Sequence, residues 1–290
     1  MLPEPQSGRI PLSHSNKPAS DAGNVTERIK ALINREFFAE TNQLVALEQW
    51  LRDRCEDRLS GRIIGPRRCG KSTIAMECVD RISGQKGALR PIPLRTHYTD
   101  CLTSFDSRKL FNQITKELGR GARGGKPEDY RLRAFDTLEL LRVETLLVDN
   151  AHYMTEKAIC DLIELAKKCG ISVILLGPTI LDKKLKELDL FDYFKPYCEF
   201  SNLSKSEFSG PIKTFEREFL GLPEPLELIR AETVTDLFKA SNGNFGNLVE
   251  ILIQVIRRSS TVDDFYFDNE VLSQVLKKYG DQTVAEPDDQ

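Results

Sequence analysis

The sequence predicts an α/β fold in which a parallel five-stranded sheet lies between helices and a small C-terminal helical subdomain follows. Three observations carry this. A glycine-rich segment, Gly65–Pro66–Arg67–Arg68–Cys69–Gly70–Lys71–Ser72, stands between an apolar strand pattern and a helical one. Short β-type apolar runs then alternate with stretches of helical spacing, the pattern of right-handed crossovers and parallel strands. Beyond Ser204 the strand signal disappears.

Two amphipathic segments open the ordered part. Residues 25–37 place Val25, Ile29, Leu32 and Ile33 on one helical face, and residues 42–55 do the same with Leu44, Leu47, Trp50 and Leu51. Residues 62–64 form a short apolar strand that ends at Gly65, and residues 71–82 read as the next helix. A second, weak strand is expected at Ile92–Pro93–Leu94. Helices follow over residues 107–118 and 130–141. Residues 145–148 and 172–176 have the continuous apolar character of strands buried on both faces, with Gly177 closing the latter. A helix opened by Thr155 and stopped near Gly170 joins them, and residues 197–200 complete the sheet. Helical spacing returns at residues 226–229, 234–238, 248–256 and 271–276. The expected organisation is a tail over 1–24, a nucleotide-binding core over 25–200, a helical lid over 201–280 and a tail over 281–290.

The composition is that of an ordinary water-soluble protein. Apolar residues make up 40 % of 290 and the formal charge is −3. A near-neutral total leaves room for a local basic patch. No apolar run approaches the roughly 18 residues of a membrane span, and the start lacks a signal-peptide pattern. The seven cysteines are scattered and never spaced CxxC, which argues against a zinc site or a disulfide framework. A reducing cytoplasm is the expected location.

The glycine-rich segment matches GxxxxGK[ST], whose mechanics are specific. Glycines let the backbone wrap closely so that its N–H groups point at phosphates, and the following helix adds its positive end. Gly65, Pro66, Arg67, Arg68, Cys69, Gly70, Lys71, Ser72 and Thr73 are therefore the expected ATP-binding set. Lys71 would reach the β- and γ-phosphates and Ser72 would hold Mg²⁺. Asp149, closing the 145–148 strand, is the expected second metal contact. The residue after it is Asn150, where ATPases of this type place a Glu. An amide can hold a water but cannot take its proton, so hydrolysis is expected to be slow. His152, two residues on, is a possible substitute base.

With these elements in hand the chain resembles AAA+ ATPases, and more narrowly the TnsC/TniB transposition regulators, including those of CRISPR-associated transposons. The resemblance rests on residues 62–72, 143–149, 170–177 with Leu181–Asp182, and Gly243–Asn244–Phe245–Gly246–Asn247–Leu248. It implies ATP-dependent rings or filaments on double-stranded DNA that recruit a transposase and a TniQ-like target-selection protein. It also implies site residues. Thr179 stands at the sensor position after the fourth strand, and Asn247 where an Arg often touches the γ-phosphate. Lys195 is the one cation near the position of a trans-acting arginine finger. Lys is a point charge rather than a planar fork, hence a weaker replacement.

The densest basic stretch holds Arg108, Lys109, Lys116, Arg120, Arg123 and Lys126, interrupted by Gly119, Gly121, Gly124 and Gly125. Few aromatic residues interleave, which favours phosphate contact over base stacking. A solvated basic face is the bland reading of the same residues. Two other functions compete with DNA-bound regulation. One is an initiator or loader ATPase, expected to carry a C-terminal winged-helix domain after its lid. The other is a STAND-type signalling NTPase that acts on proteins.

Overall fold

The computed structural model describes residues 31, 37, 39–82, 96–101, 103–121, 124–220, 228, 230–259 and 268–282. They fall into two compact units. The first comprises Gln43–Arg67 and Lys71–Phe200. The second comprises Arg68–Gly70 with the described parts of Pro11–Asn42 and Ser201–Gln290.

The first unit is built on five parallel strands: β1 (Gly61–Ile64), β2 (Thr96–Asp100), β3 (Thr145–Asp149), β4 (Ser172–Gly177) and β5 (Tyr197–Glu199), in the spatial order β2-β3-β4-β1-β5. Every residue of β1, β3 and β4 is buried, as expected for strands covered on both faces. That is why these three were readable as apolar runs. The edge strand β5 alternates between exposed and half-buried positions. The expected strand at Ile92–Leu94 falls outside the described residues; β2 itself begins at Thr96.

Helices α1 (Asn42–Asp57), α2 (Lys71–Ile82), α3 (Ser107–Glu117), α4 (Pro127–Leu140), α5 (Glu156–Cys169) and α6 (Ile180–Glu187) accompany the sheet. Local chemistry sets their ends. Asp106 accepts the N–H of Lys109 at 2.8 Å to start α3. Pro127 stands at the first position of α4, and the Lys126 N–H donates to Asp129 at 2.7 Å, so this helix starts three residues earlier than its apolar spacing suggests. Thr155 caps α5, and Gly170, at φ 62°, ends it in the left-handed conformation. Phe111 and Ile114 of α3, Leu138 of α4 and Leu162 of α5 pack with Leu146, Val148, Val173 and Leu175 of the sheet into one core. Helix α6 had no assignment from sequence; its signal is the i, i+4 pair Leu181 and Leu185, both fully buried.

The second unit contains α7 (Ser209–Thr214) running into a π-helical turn (Phe215–Leu220), then α8 (Ala231–Ser241), α9 (Phe245–Ser259) and α10 (Asn269–Gln282). The expected helix over 226–229 lies outside the described residues apart from Leu228, and the expected helix over 25–37 apart from Ala31 and Phe37. Phe208, Phe215, Leu237, Leu248, Leu252 and Val255 are fully buried together, and Phe37 meets Phe215 edge-on at 5.4 Å. Phe208 and Phe215 are therefore core residues of this unit. No helix among the described residues is long and apolar enough to cross a membrane.

Candidate nucleotide site

Parallel sheets expose their functional loops at the carboxyl ends of the strands, and that edge carries the candidate site. The chain leaves β1 at Ile64 and turns at Gly65. A Cβ there would fall 2.1 Å from the carbonyl oxygen of Phe200, whose N–H bonds the Ile64 carbonyl at 2.7 Å. Only glycine lets the backbone run this close to its neighbour. The loop then passes through positive φ at Arg68 (64°) and Gly70 (96°), the kind of alternation that turns successive N–H groups inward as an anion nest. Arg68, Cys69 and Gly70 group with the second unit, where Arg68 pairs with Glu250 and its carbonyl accepts the Gly246 N–H.

Lys71 opens α2 and is 7 % exposed. Its Nζ donates to the carbonyls of Gly65 at 2.9 Å and Pro66 at 2.5 Å, so the cation is folded over the loop it serves. The first turn of α2 contains no acidic side chain, leaving its positive end uncompensated. A buried cation, a curled loop and an open helix N-terminus fit a polyphosphate. Ser72 and Thr73 follow Lys71 in the first turn of that helix.

Asp149 ends β3 and is 2 % exposed. Tyr98 donates its hydroxyl to Oδ2 at 2.5 Å, and the Asn150 N–H donates to Oδ1 at 2.7 Å. The carboxylate is thus held as an acceptor, with lone pairs left on each oxygen. Asn150 sits at φ 53°, a left-handed conformation that Asn adopts more readily than Glu. Its Nδ2 donates to Asp100 Oδ1 at 2.8 Å. Asp100 and Asp149 are direct register partners across β2 and β3, so the two strand ends deliver their carboxylates side by side. Neither Tyr98 nor Asp100 was identified from sequence. Both lie on β2, the strand with the weakest apolar signal.

His152 lies in a 3₁₀ turn (Ala151–Tyr153) just beyond β3. Burial lowers its pKa first, and the cations Arg67, Lys184 and Lys71 add to that while Asp149 opposes it, so the ring is neutral at neutral pH.

Thr179 precedes the first turn of α6 and is exposed, with no capping hydrogen bond from its side chain. Lys195 has a 74 % exposed side chain, 3.9 Å from Asp192. Asn247 lies in the first turn of α9, its N–H held at 3.1 Å by the side chain of Asn244.

The basic stretch maps onto α3, α4 and their connection. Arg108, Lys109, Lys116, Arg120 and Lys126 are all exposed there, whereas Arg123 lies outside the described residues. Tyr130 organises part of this surface. The guanidinium carbons of Arg108 and Arg133 both lie 5.0 Å from its ring, and Arg133 also donates to the Gly124 carbonyl at 3.0 Å. Gly125, at φ 125°, leaves room for this: a Cβ would meet Arg133 Nη2 at 2.6 Å.

Residues 53–185 match the family described as an AAA domain. No curated protein sequence matches the chain. Among solved structures it is similar to the Aeropyrum pernix Orc1 protein in complex with DNA, with a TM-score of 0.67 at 11 % identity, covering 88 % of this chain and 70 % of that one. It is similar to Cdc6p from Pyrobaculum aerophilum, with a TM-score of 0.56 at 16 % identity, covering 75 % of this chain and 60 % of the other. A third likeness is to Drosophila ORC bound to DNA, with a TM-score of 0.56 at 16 % identity over 94 % of this chain and 69 % of that one. The matched domain and the structural likenesses support an α/β fold of the AAA+ kind.

Proposed function

We propose that this chain is an ATP-binding AAA+ protein that assembles on double-stranded DNA, with nucleotide controlling the assembly. The observation that carries the reading is Lys71, buried and laid over the Gly65 and Pro66 carbonyls at the start of α2. In this reading the Gly65–Thr73 loop holds the phosphates, and Ser72 with Asp149 holds Mg²⁺. The α3–α4 surface with Arg108 and Lys126 faces the DNA backbone. Each subunit offers few charges, and self-association multiplies them. The similar Aeropyrum Orc1 and Drosophila ORC structures are both bound to DNA, which supports the nucleic-acid partner.

Within this reading, the stretches over residues 143–149, 170–177 and 243–248 favour a regulator of DNA transposition that recruits a transposase and a TniQ-like protein. The fold likeness to Orc1 and Cdc6p favours an initiator-type loader. Anisotropy of a labelled duplex, titrated with protein in ATP, in ADP and without nucleotide, tests the shared part. Salt-sensitive binding that requires ATP, and is lost with Lys71→Ala, is the expected result. Binding to DNA in none of the three states would overturn it and favour a protein-directed signalling ATPase. A pull-down of transposase by the ATP-bound, DNA-bound assembly separates the two finer readings.

A further inference from the structure

Asn150 cannot remove a proton from water, and its amide is already committed to Asp100. The carboxylate of Asp100 stands at the end of β2, and both β3 and β4 lie between β2 and β1. At about 4.8 Å per strand, that is far from the loop that follows β1. His152 is differently placed. Its Nδ1 lies 3.6 Å from the position a Cβ would occupy on Gly177, the last residue of β4. Gly177 is the register partner of Ile64, the residue that leads into Gly65. The ring therefore stands at the end of the strand between β3 and β1, with Asp149 on one side and the phosphate loop on the other. The charges it senses are those of Arg67, Lys71, Asp149 and Lys184. The backbone at this point is pinned as well, since Lys184 Nζ donates to the His152 carbonyl at 2.9 Å.

Among the described residues, neither ring nitrogen of His152 has a hydrogen-bond partner, although both are shielded from solvent. Buried polar atoms left in this state are uncommon and point to a role at a site. Resting on the nucleotide-binding reading above, we propose that His152 is the general base for ATP hydrolysis, in place of the carboxylate that position 150 lacks. One ring nitrogen of His152 takes a proton from a water. The water oxygen bonds to the γ-phosphorus as the bond from that phosphorus to the β–γ bridging oxygen breaks. The electron pair leaves on ADP, and the imidazolium returns its proton to solvent. A neutral imidazole is the form that can do this, and burial first, then the cations around His152, favours that form.

The test measures phosphate release by the full chain, with and without duplex DNA, beside its affinity for a fluorescent ATP analogue. His152→Ala is expected to lower turnover by about 100-fold, the lower end for loss of a general base, with nucleotide affinity within about threefold of wild type. Free imidazole should restore part of the rate, which a purely structural histidine would not allow. His152→Gln should show the same loss and serves if the Ala variant does not fold. Turnover by His152→Ala close to wild type overturns the proposal. So does an absence of turnover by the wild type while it binds the analogue, or a loss that imidazole leaves untouched. Failure of the wild type to bind the analogue would instead overturn the nucleotide-site reading.

Discussion

Arg62 and Asp182 form a two-pronged ion pair inside the first unit, with Nε to Oδ1 at 2.6 Å and Nη2 to Oδ2 at 3.1 Å. Arg62 is 3 % exposed, and its remaining donor Nη1 reaches the carbonyls of Phe194 and Lys195, each at 2.7 Å. The rings of Phe191 and Tyr197 lie 4.2 and 5.0 Å from the guanidinium carbon. One side chain thus ties β1 to α6 and to the turn before β5. Asp182→Ala leaves a buried guanidinium without its anion and should cost about 3 kcal/mol. Urea denaturation measures this; a cost below about 1 kcal/mol would mean that the two carbonyls and two rings suffice.

Asn150→Asp keeps the size of the side chain but replaces the donor that Asp100 accepts with a second carboxylate. The expected result is a loss of about 2 kcal/mol at neutral pH, from a broken charge-assisted hydrogen bond and like-charge repulsion. Acidification should recover part of it, as one of the two carboxyls takes up a proton. Thermal melts at pH 5 and pH 8 compare the two conditions. Equal loss at both would show that repulsion is not the cause.

If the α3–α4 surface contacts DNA phosphates, Arg108→Ala with Lys126→Ala should weaken binding and leave ATP affinity unchanged. The log–log salt dependence of binding should flatten by about 1.8 per bound subunit, from two lost phosphate contacts. A salt slope equal to wild type would move the contact surface elsewhere. Tyr130→Leu should give a milder version, because the ring that carries Arg108 and Arg133 is lost while both charges remain.

Glu117 lies 3.1 Å from His97 across α3 and β2. Burial pushes its carboxyl up, but hydrogen bonds from His97 and Gln113 outweigh this and leave the pKa below its usual 4.5. A depressed folded-state pKa stabilises above the unfolded value and is lost as pH falls through the folded one. Glu117→Gln should therefore melt below wild type at pH 6, and the gap should close under about pH 4. A gap of constant size down to pH 3 would sink this assignment.

Much of the first unit was legible because its strands are buried on both faces. The residue runs at β3 and β4 contain almost nothing but apolar side chains, and burial at every position is what such runs require. The glycine-rich loop after β1 was legible for a different reason, since its backbone path admits few residue types: Gly65 against the Phe200 carbonyl and Gly70 at φ 96°. Residues 96–100 were not read as a strand, because Thr96, His97 and Thr99 are polar residues whose partners, such as Glu117, come from elsewhere in the chain. Helix α6 went unassigned because it is short and only Leu181 and Leu185 mark its buried face.

By itself the sequence determined the α/β class, the glycine-rich turn after β1 and the acid at the end of β3, since each depends on local steric and burial demands. Only the tertiary structure decided what surrounds that acid. Tyr98 and Asp100 reach Asp149 and Asn150 through parallel pairing of segments about fifty residues apart, and Gly177 brings β4 under His152. Such neighbours are set by strand order and register, which depend on how the whole sheet packs and leave no trace in the spacing of any one segment.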